Sequence, residues 1–183
     1  PEDLDYEGKK VIVIGSGATA MTIVPSMTQK GAQVTMVQRS PTYVVSRPAE
    51  DKIANTLRKW LPEKWAYAIT RLKNTTLSGY FYRQTRSQPA KTKAQLLGMA
   101  TANLGEEMVK AHFTPSYNPW DQRMCLIPDG DLYQSINEGS AQVVTGDIET
   151  WTEQGLVMKD GTEVTGDIIV TATGITLTVM SGI

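Results

Sequence analysis

The residues with the most chemical content gather at one turn. Gly15-x-Gly17-x-x-Ala20 follows an unbroken β-branched run, Val11-Ile12-Val13-Ile14, and opens a stretch with apolar residues at Ala20, Val24 and Met27. Strand, glycine turn and helix in that order form the context in which this spacing holds a dinucleotide pyrophosphate. The first glycine permits a tight turn at positive φ, the second lets backbone approach the phosphates, and the small third residue lets helix pack on strand. Amides at the helix start then point at the phosphates, and the helix dipole favours their charge.

The end of the next strand selects the nucleotide. An acidic residue roughly 20 positions after the motif would accept hydrogen bonds from a ribose 2′-hydroxyl. No Asp or Glu occurs from Gly31 to Ala49; Arg39 stands there instead, 24 positions after Gly15 and beside Ser40. A carboxylate repels a 2′-phosphate, whereas a guanidinium pairs with it bidentately. The charge pattern therefore points to NADP(H) rather than NAD(H), received by a rim free of carboxylates. A solvated loop arginine is the plainer alternative.

These residues need a scaffold, and residues 9–40 read as one βαβ unit. Its helix runs from Ala18 to about Lys30, bent by Pro25 and stopped by Gly31, and Val34–Val37 forms the second strand, closed by Ser40-Pro41. From Glu50 to about His112, Leu57, Leu61, Trp65, Ile69 and Leu72 recur at helical intervals, with Pro62 and Pro89 as punctuation, which predicts about three helices and no strand. The last third returns to β. Asp129–Asn137 reads as a short helix, followed by strands around Gln142–Val144, Ile148–Thr152 and Leu156–Lys159, a hairpin turn at Asp160-Gly161, and a buried strand Asp167–Thr171. The expected architecture is α/β: a Rossmann-like, three-layer dinucleotide-binding domain over residues 1–49 and 113–183, with a helical insertion at 50–112.

At 183 residues, with 40% hydrophobic and 20% charged residues, the chain can build one generous domain or one domain with an insertion. A net charge of −1 gives no global field toward nucleic acid, and no nucleic-acid-binding motif occurs. The single cysteine, Cys125, suits a reducing compartment, and with no apolar run long enough to span a bilayer the expected location is cytoplasmic. Cys125 reads as a small buried hydrophobe, and a lone cysteine separates this chain from flavin disulfide reductases, which need a redox-active pair. His112 is the only histidine, so a histidine-based metal cluster is excluded and a structural role is expected. The insertion is basic, with 11 Lys+Arg against 5 Asp+Glu over residues 50–112. Its Trp60, Trp65, Tyr67, Tyr80, Phe81 and Tyr82 fit either the insertion's own core and rim, the favoured reading, or a face for peripheral membrane contact.

The combined motifs resemble the NADPH-binding domain of flavin-containing monooxygenases, specifically Baeyer–Villiger-type enzymes of the thioamide-activating group. The resemblance covers nearly the whole chain. It is carried by Pro1-Glu2-Asp3-Leu4-Asp5-Tyr6, Val13 through Ala20, Gln38-Arg39-Ser40-Pro41-Thr42-Tyr43, Tyr117-Asn118-Pro119-Trp120-Asp121-Gln122-Arg123 and Thr171-Ala172-Thr173-Gly174. It implies that Gly15, Ser16, Gly17, Ala18, Thr19, Ala20 and Met21 wrap the NADP pyrophosphate, and that Arg39 and Ser40 hold the 2′-phosphate. Arg123 matches the arginine these enzymes place near the flavin to stabilise negative charge and assist hydride transfer. On the residues alone, a surface salt bridge to Asp121 is Arg123's plainer role. Gln122 departs from the lysine common in Baeyer–Villiger enzymes, which leaves 2′-phosphate recognition more dependent on Arg39.

By the same resemblance the chain is a piece of a longer protein whose flavin motif precedes Pro1, so the piece alone is expected to lack FAD and not to turn over. The full-length protein would use NADPH, FAD and O2 to oxygenate a ketone or a sulfur-containing small molecule, with the flavin domain of the same chain as partner. The alternatives are an NADPH domain of another flavoprotein, such as an N-hydroxylase or a reductase, and a non-catalytic module that senses NADP.

Overall fold

The unbroken apolar run at Val11–Ile14 is explained by what lies on each side of it. In a computed structural model that describes residues 4–122 and 124–174, β1 (Lys10–Ile14) is a central strand with both faces covered. It pairs in parallel with β2 (Gln33–Gln38) on one side and β9 (Ile168–Thr171) on the other, and β5 (Ala141–Thr145) extends the sheet beyond β2. The strand order is β5-β2-β1-β9.

Successive side chains of β1 point to opposite faces. Val11 and Val13 join the core with Ala20, Met21, Val24 and Met27 of α1 (Ala18–Thr28) and with Leu132, Tyr133 and Ile136 of α6 (Asp131–Asn137). Ile12 and Ile14 enter a second cluster with Val37, Leu156, Met158 and Val164. The last three come from an antiparallel sheet, β6 (Ile148–Thr152), β7 (Gly155–Met158) and β8 (Glu163–Thr165). The three layers are helices, parallel sheet and antiparallel sheet. Each fully buried Val or Ile side chain here stabilises the fold by about 1.5–3 kcal/mol relative to exposure.

Two strands escape a reading by periodicity. β3 (Tyr43–Arg47) and β4 (Met124–Pro128) pair in parallel, from Tyr43 opposite Met124 to Arg47 opposite Pro128. Each is a five-residue run, and neither has a partner nearby in sequence. Between them lie four helices among the described residues: α2 (Lys52–Trp60), α3 (Glu63–Ser87), α4 (Pro89–Leu104) and α5 (Glu106–His112). The expected three become four because Gly105, at φ +83, separates α4 from α5. Pro62 and Pro89 mark starts, Pro89 within the first turn of α4, where a missing N–H costs nothing. Asp51 caps α2 by accepting from Ile53 N–H at 3.1 Å and Ala54 N–H at 3.0 Å. Lys73 of α3 also bonds that carboxylate and, with the Ala54 amide, holds its pKa down at about 2.

Of the aromatic residues expected to form this segment's core and rim, only Phe81 packs on a core cluster, that of Tyr43, Val45 and Leu96; the others stand outside it. Trp60 is 82% exposed and Trp65 65%, and Tyr67, Tyr80 and Tyr82 are exposed too; Phe81 alone of the group is half-buried. The fully buried residues of α3 are small, Ala66 and Thr85, and Phe81 is the large side chain by which the helix packs on the core. Among the described residues no helix is long and apolar enough to cross a membrane.

A polar network ties α5 to the sheet. Gln38, 1% exposed at the end of β2, donates to the His112 carbonyl at 2.7 Å and to Thr145 Oγ1 at 2.9 Å. Thr145 Oγ1 lies 2.8 Å from His112 Nδ1. The Gln38 amide fills one of the two acceptor sites of the hydroxyl, and the other contact joins it to the imidazole nitrogen. Burial holds the His112 pKa below its ordinary value. A depressed histidine favours the fold above its unfolded pKa of about 6.5 and loses that contribution as pH falls below it. The thermal midpoint should therefore fall between about pH 7.5 and about pH 5.5, and His112→Asn should flatten that slope; an unchanged slope in differential scanning fluorimetry would show that His112 carries none of it.

Candidate functional site

The ends of the four parallel strands meet at a cleft of about 440 Å³. Its walls begin with the residues that directly follow those strands: Gly15 after β1, Arg39 after β2, Gly146 after β5 and Ala172 after β9. Ligands of open α/β sheets bind at this position, outside the carboxyl ends of strands where connections diverge to either side. Tyr117 and Gln122 close the cleft from the segment leading to β4.

Gly15 is required here for two reasons. Its φ is +135, and a Cβ placed on it would lie 2.3 Å from the Ala172 carbonyl oxygen. The turn is pinned from both neighbouring strands, by Gly15 N–H donating to Val37 O at 2.8 Å and Ala172 N–H donating to Ile14 O at 2.7 Å. Gly17 differs. It caps α1 at φ −87, a conformation open to any residue, and no side chain caps the helix. The N–H groups of Ala18, Thr19 and Ala20 have no acceptor in the first turn, and that turn carries no acidic side chain. Three open amides at a helix start present a cradle for an anion.

The predicted residues divide by position. Gly15, Ser16, Gly17, Arg39 and Ser40 line the cleft. Ala18 and Thr19 are exposed at the helix start. Ala20 is fully buried and offers only its amide. Met21 is 2% exposed within the core, and its N–H is taken by Gly17 O at 3.0 Å, so it supports the turn from beneath and does not face the cleft. Ser16 Oγ donates to Ser40 O at 3.2 Å, tying the glycine turn to the loop after β2. Cys125, 3% exposed, lies under the same turn with Sγ 3.8 Å from Ser16 O. Arg123 lies outside the described residues. Asp121 accepts from Arg86 of α3 at 2.7 Å, an exposed pair contributing about 0–1 kcal/mol.

Arg39 is exposed at the rim and makes no hydrogen bond or ion pair with any described residue. Its charge is thus available to a ligand. The rim, however, is not free of carboxylates as the sequence suggested. Asp147, in the turn after β5, lines the same cleft. Its Oδ2 lies 3.4 Å from Lys159 Nζ, both side chains being at least half exposed, so the pair offsets its charge locally. The linear sequence hides Asp147 because nothing in it states that β5 sits beside β2.

Tyr117 is held by two contacts: Tyr43 O–H donates to Tyr117 O at 2.6 Å, and Thr42 Oγ1 lies 3.0 Å from Tyr117 Oη. The Tyr43 and Tyr117 rings meet edge to face at 5.4 Å. Burial pushes the Tyr43 pKa up to about 12, with smaller contributions from Tyr117 and Asp121, so its phenol stays a donor.

The sheet order, the glycine turn and the cleft above it define a dinucleotide-binding domain of Rossmann type. The comparisons with known proteins narrow this. EthA of Mycobacterium tuberculosis, an FAD-containing monooxygenase, is 47% identical over 184 residues, covering 100% of this chain and 38% of its own length. EthA of Mycolicibacterium smegmatis is likewise 47% identical over 184 residues, covering 100% of this chain and 37% of its own length. The chain is a homologue of the FAD-containing monooxygenases and spans well under half the length of these curated relatives. Among solved structures, OTEMO in complex with FAD and NADP superposes with a TM-score of 0.69 at 18% identity, over 96% of this chain and 40% of that one, which shows a shared fold. No family model matches the chain.

Gly15→Ala is expected to force apart the turn and Ala172, costing about 1–3 kcal/mol. Its thermal midpoint should drop by several degrees; a variant as stable as the parent would mean that the turn and the end of β9 can separate freely.

Proposed function

We propose that this chain is the NADP(H)-binding part of an FAD-dependent monooxygenase that uses NADPH and O2 to oxygenate a small molecule, a ketone or a sulfur compound. The observation that carries the reading is the Arg39 guanidinium, with no ion pair to any described residue, at the rim of a cleft whose floor is the glycine turn. Open amides of Ala18, Thr19 and Ala20 fit a pyrophosphate. Arg39 and Ser40 fit a 2′-phosphate bound to the adjacent ribose. The homology to FAD-containing monooxygenases supports FAD as the second cofactor, held by another part of the same protein. When bound, FAD supplies the redox chemistry.

The residues of this chain have a narrower task. The glycine turn and the α1 amides fix the pyrophosphate, and the Arg39 rim sets the preference for a phosphorylated ribose. Tyr117, braced by Tyr43 and Thr42, limits the space over the nucleotide. Arg123 enters the proposal through the family resemblance, as the fixed positive charge beside the flavin. The helical insertion at residues 50–112 is proposed as a separate unit that shapes the substrate region.

Titration of the full-length protein with NADPH and NADH tests the nucleotide assignment. NADPH should bind more tightly. Arg39→Gln should weaken NADPH by about 10- to 100-fold, equivalent to about 1.4–2.8 kcal/mol, and leave NADH nearly unchanged. Equal or tighter NADH binding by the parent protein would reject the assignment. Arg123→Ala should abolish substrate oxygenation while FAD stays bound; normal oxygenation by that variant would remove Arg123 from the chemistry.

A further inference from the structure

We propose that Tyr82 and Arg86 of α3 are positioning residues for the nucleotide cleft: they grip the turn at residues 118–121, which would not hold its shape alone and which sets Gln122 on the cleft wall. This inference rests on the dinucleotide reading above. Trp120 stands in the left-handed region at φ +67, where a bulky side chain crowds its own backbone. Such a conformation persists only where neighbouring groups impose it. Two bonds close the turn, Asp121 N–H donating to Asn118 O at 3.0 Å and Asn118 N–H donating to Asp121 Oδ2 at 3.3 Å, and Pro119 and Gln122 form a β-bridge across it. Tyr117 before the turn and Gln122 after it both line the cleft.

The grip comes from one side of α3. Tyr82 and Arg86 are separated by one helical turn and so stand one above the other. The Tyr82 ring meets the Trp120 ring edge to face, with centroids 5.6 Å apart. Arg86 reaches Asp121 Oδ1 at 2.7 Å. The two Asp121 oxygens thus serve different tasks, one closing the turn and the other anchoring it to the helix. An edge-to-face ring pair and an exposed ion pair together are of the same order as the strain of one left-handed residue, so neither contact is surplus. Tyr117 has braces of its own in Tyr43 and Thr42. Gln122 takes its place directly from the turn, so the wall at Gln122 is the part that gives when the grip is lost.

The test titrates the full-length protein with NADPH. Tyr82→Ala should weaken binding by about 5- to 10-fold. Tyr82→Phe keeps the ring and should stay within about 2-fold of the parent. Tyr82 is exposed, so both variants should melt close to the parent's thermal midpoint. Trp120→Gly added to Tyr82→Ala should restore binding to within about 2-fold of the parent, because glycine holds a positive φ without help. A general loss of packing at Tyr82 would not be repaired by removing a second aromatic ring. Parent-like binding by Tyr82→Ala overturns the inference, and so does a double variant as weak as Tyr82→Ala alone. If Arg39→Gln weakens NADPH yet Tyr82→Ala does not, only the grip falls; a parent that binds neither NADPH nor NADH removes the dinucleotide reading as well.

Discussion

The structure depends on how closely the glycine turn approaches the end of β9. With room for no Cβ between Gly15 and the Ala172 carbonyl, β1 and β9 can pair to their last residues and end at one level. That alignment brings four strand ends together and opens a cleft rather than a ragged edge. It also explains the distinct demands on the two glycines. Gly15 answers to the protein's own backbone, through its φ and its contact. Gly17 adopts an ordinary extended conformation, so its backbone places no such demand on the residue type.

Electrostatics at the cleft is a balance of local groups. The chain is nearly neutral overall, and long-range attraction does little for an anion. Arg39 has no ion-pair partner among the described residues, while Asp147 is matched by Lys159. The available charge is therefore positive beside the turn after β2 and close to neutral beside the turn after β5. Open amides at the start of α1 add a fixed donor set between β2 and β9.

The helical segment is fastened differently from the sheet domain. It leaves from β3 and returns to β4, which pair with each other, so its entry and exit are held together. Within it, Asp51 serves both as cap of α2 and as partner of Lys73 on α3. α3 itself packs through Ala66, Phe81 and Thr85, and its other aromatic side chains point outward. Arg86 of α3 reaches Asp121, so the segment that closes the cleft is linked to the insertion.

Much of the molecule was legible from order and spacing alone. The β-branched run, the glycine turn, the hairpin at Asp160-Gly161 and the helical stretch between Pro62 and Pro89 are local patterns, and local backbone preferences suffice to read them. Arg39 was legible for the same reason, since its distance from the turn is a distance along the chain. Tertiary structure alone decided the pairing of β3 with β4, the burial of Met21 beneath the turn it follows, the outward aromatics of α3 and the arrival of Asp147 beside Arg39. Each is a matter of which surfaces meet after the chain has folded back over long separations, and such meetings depend on packing across strands and helices that no local window contains.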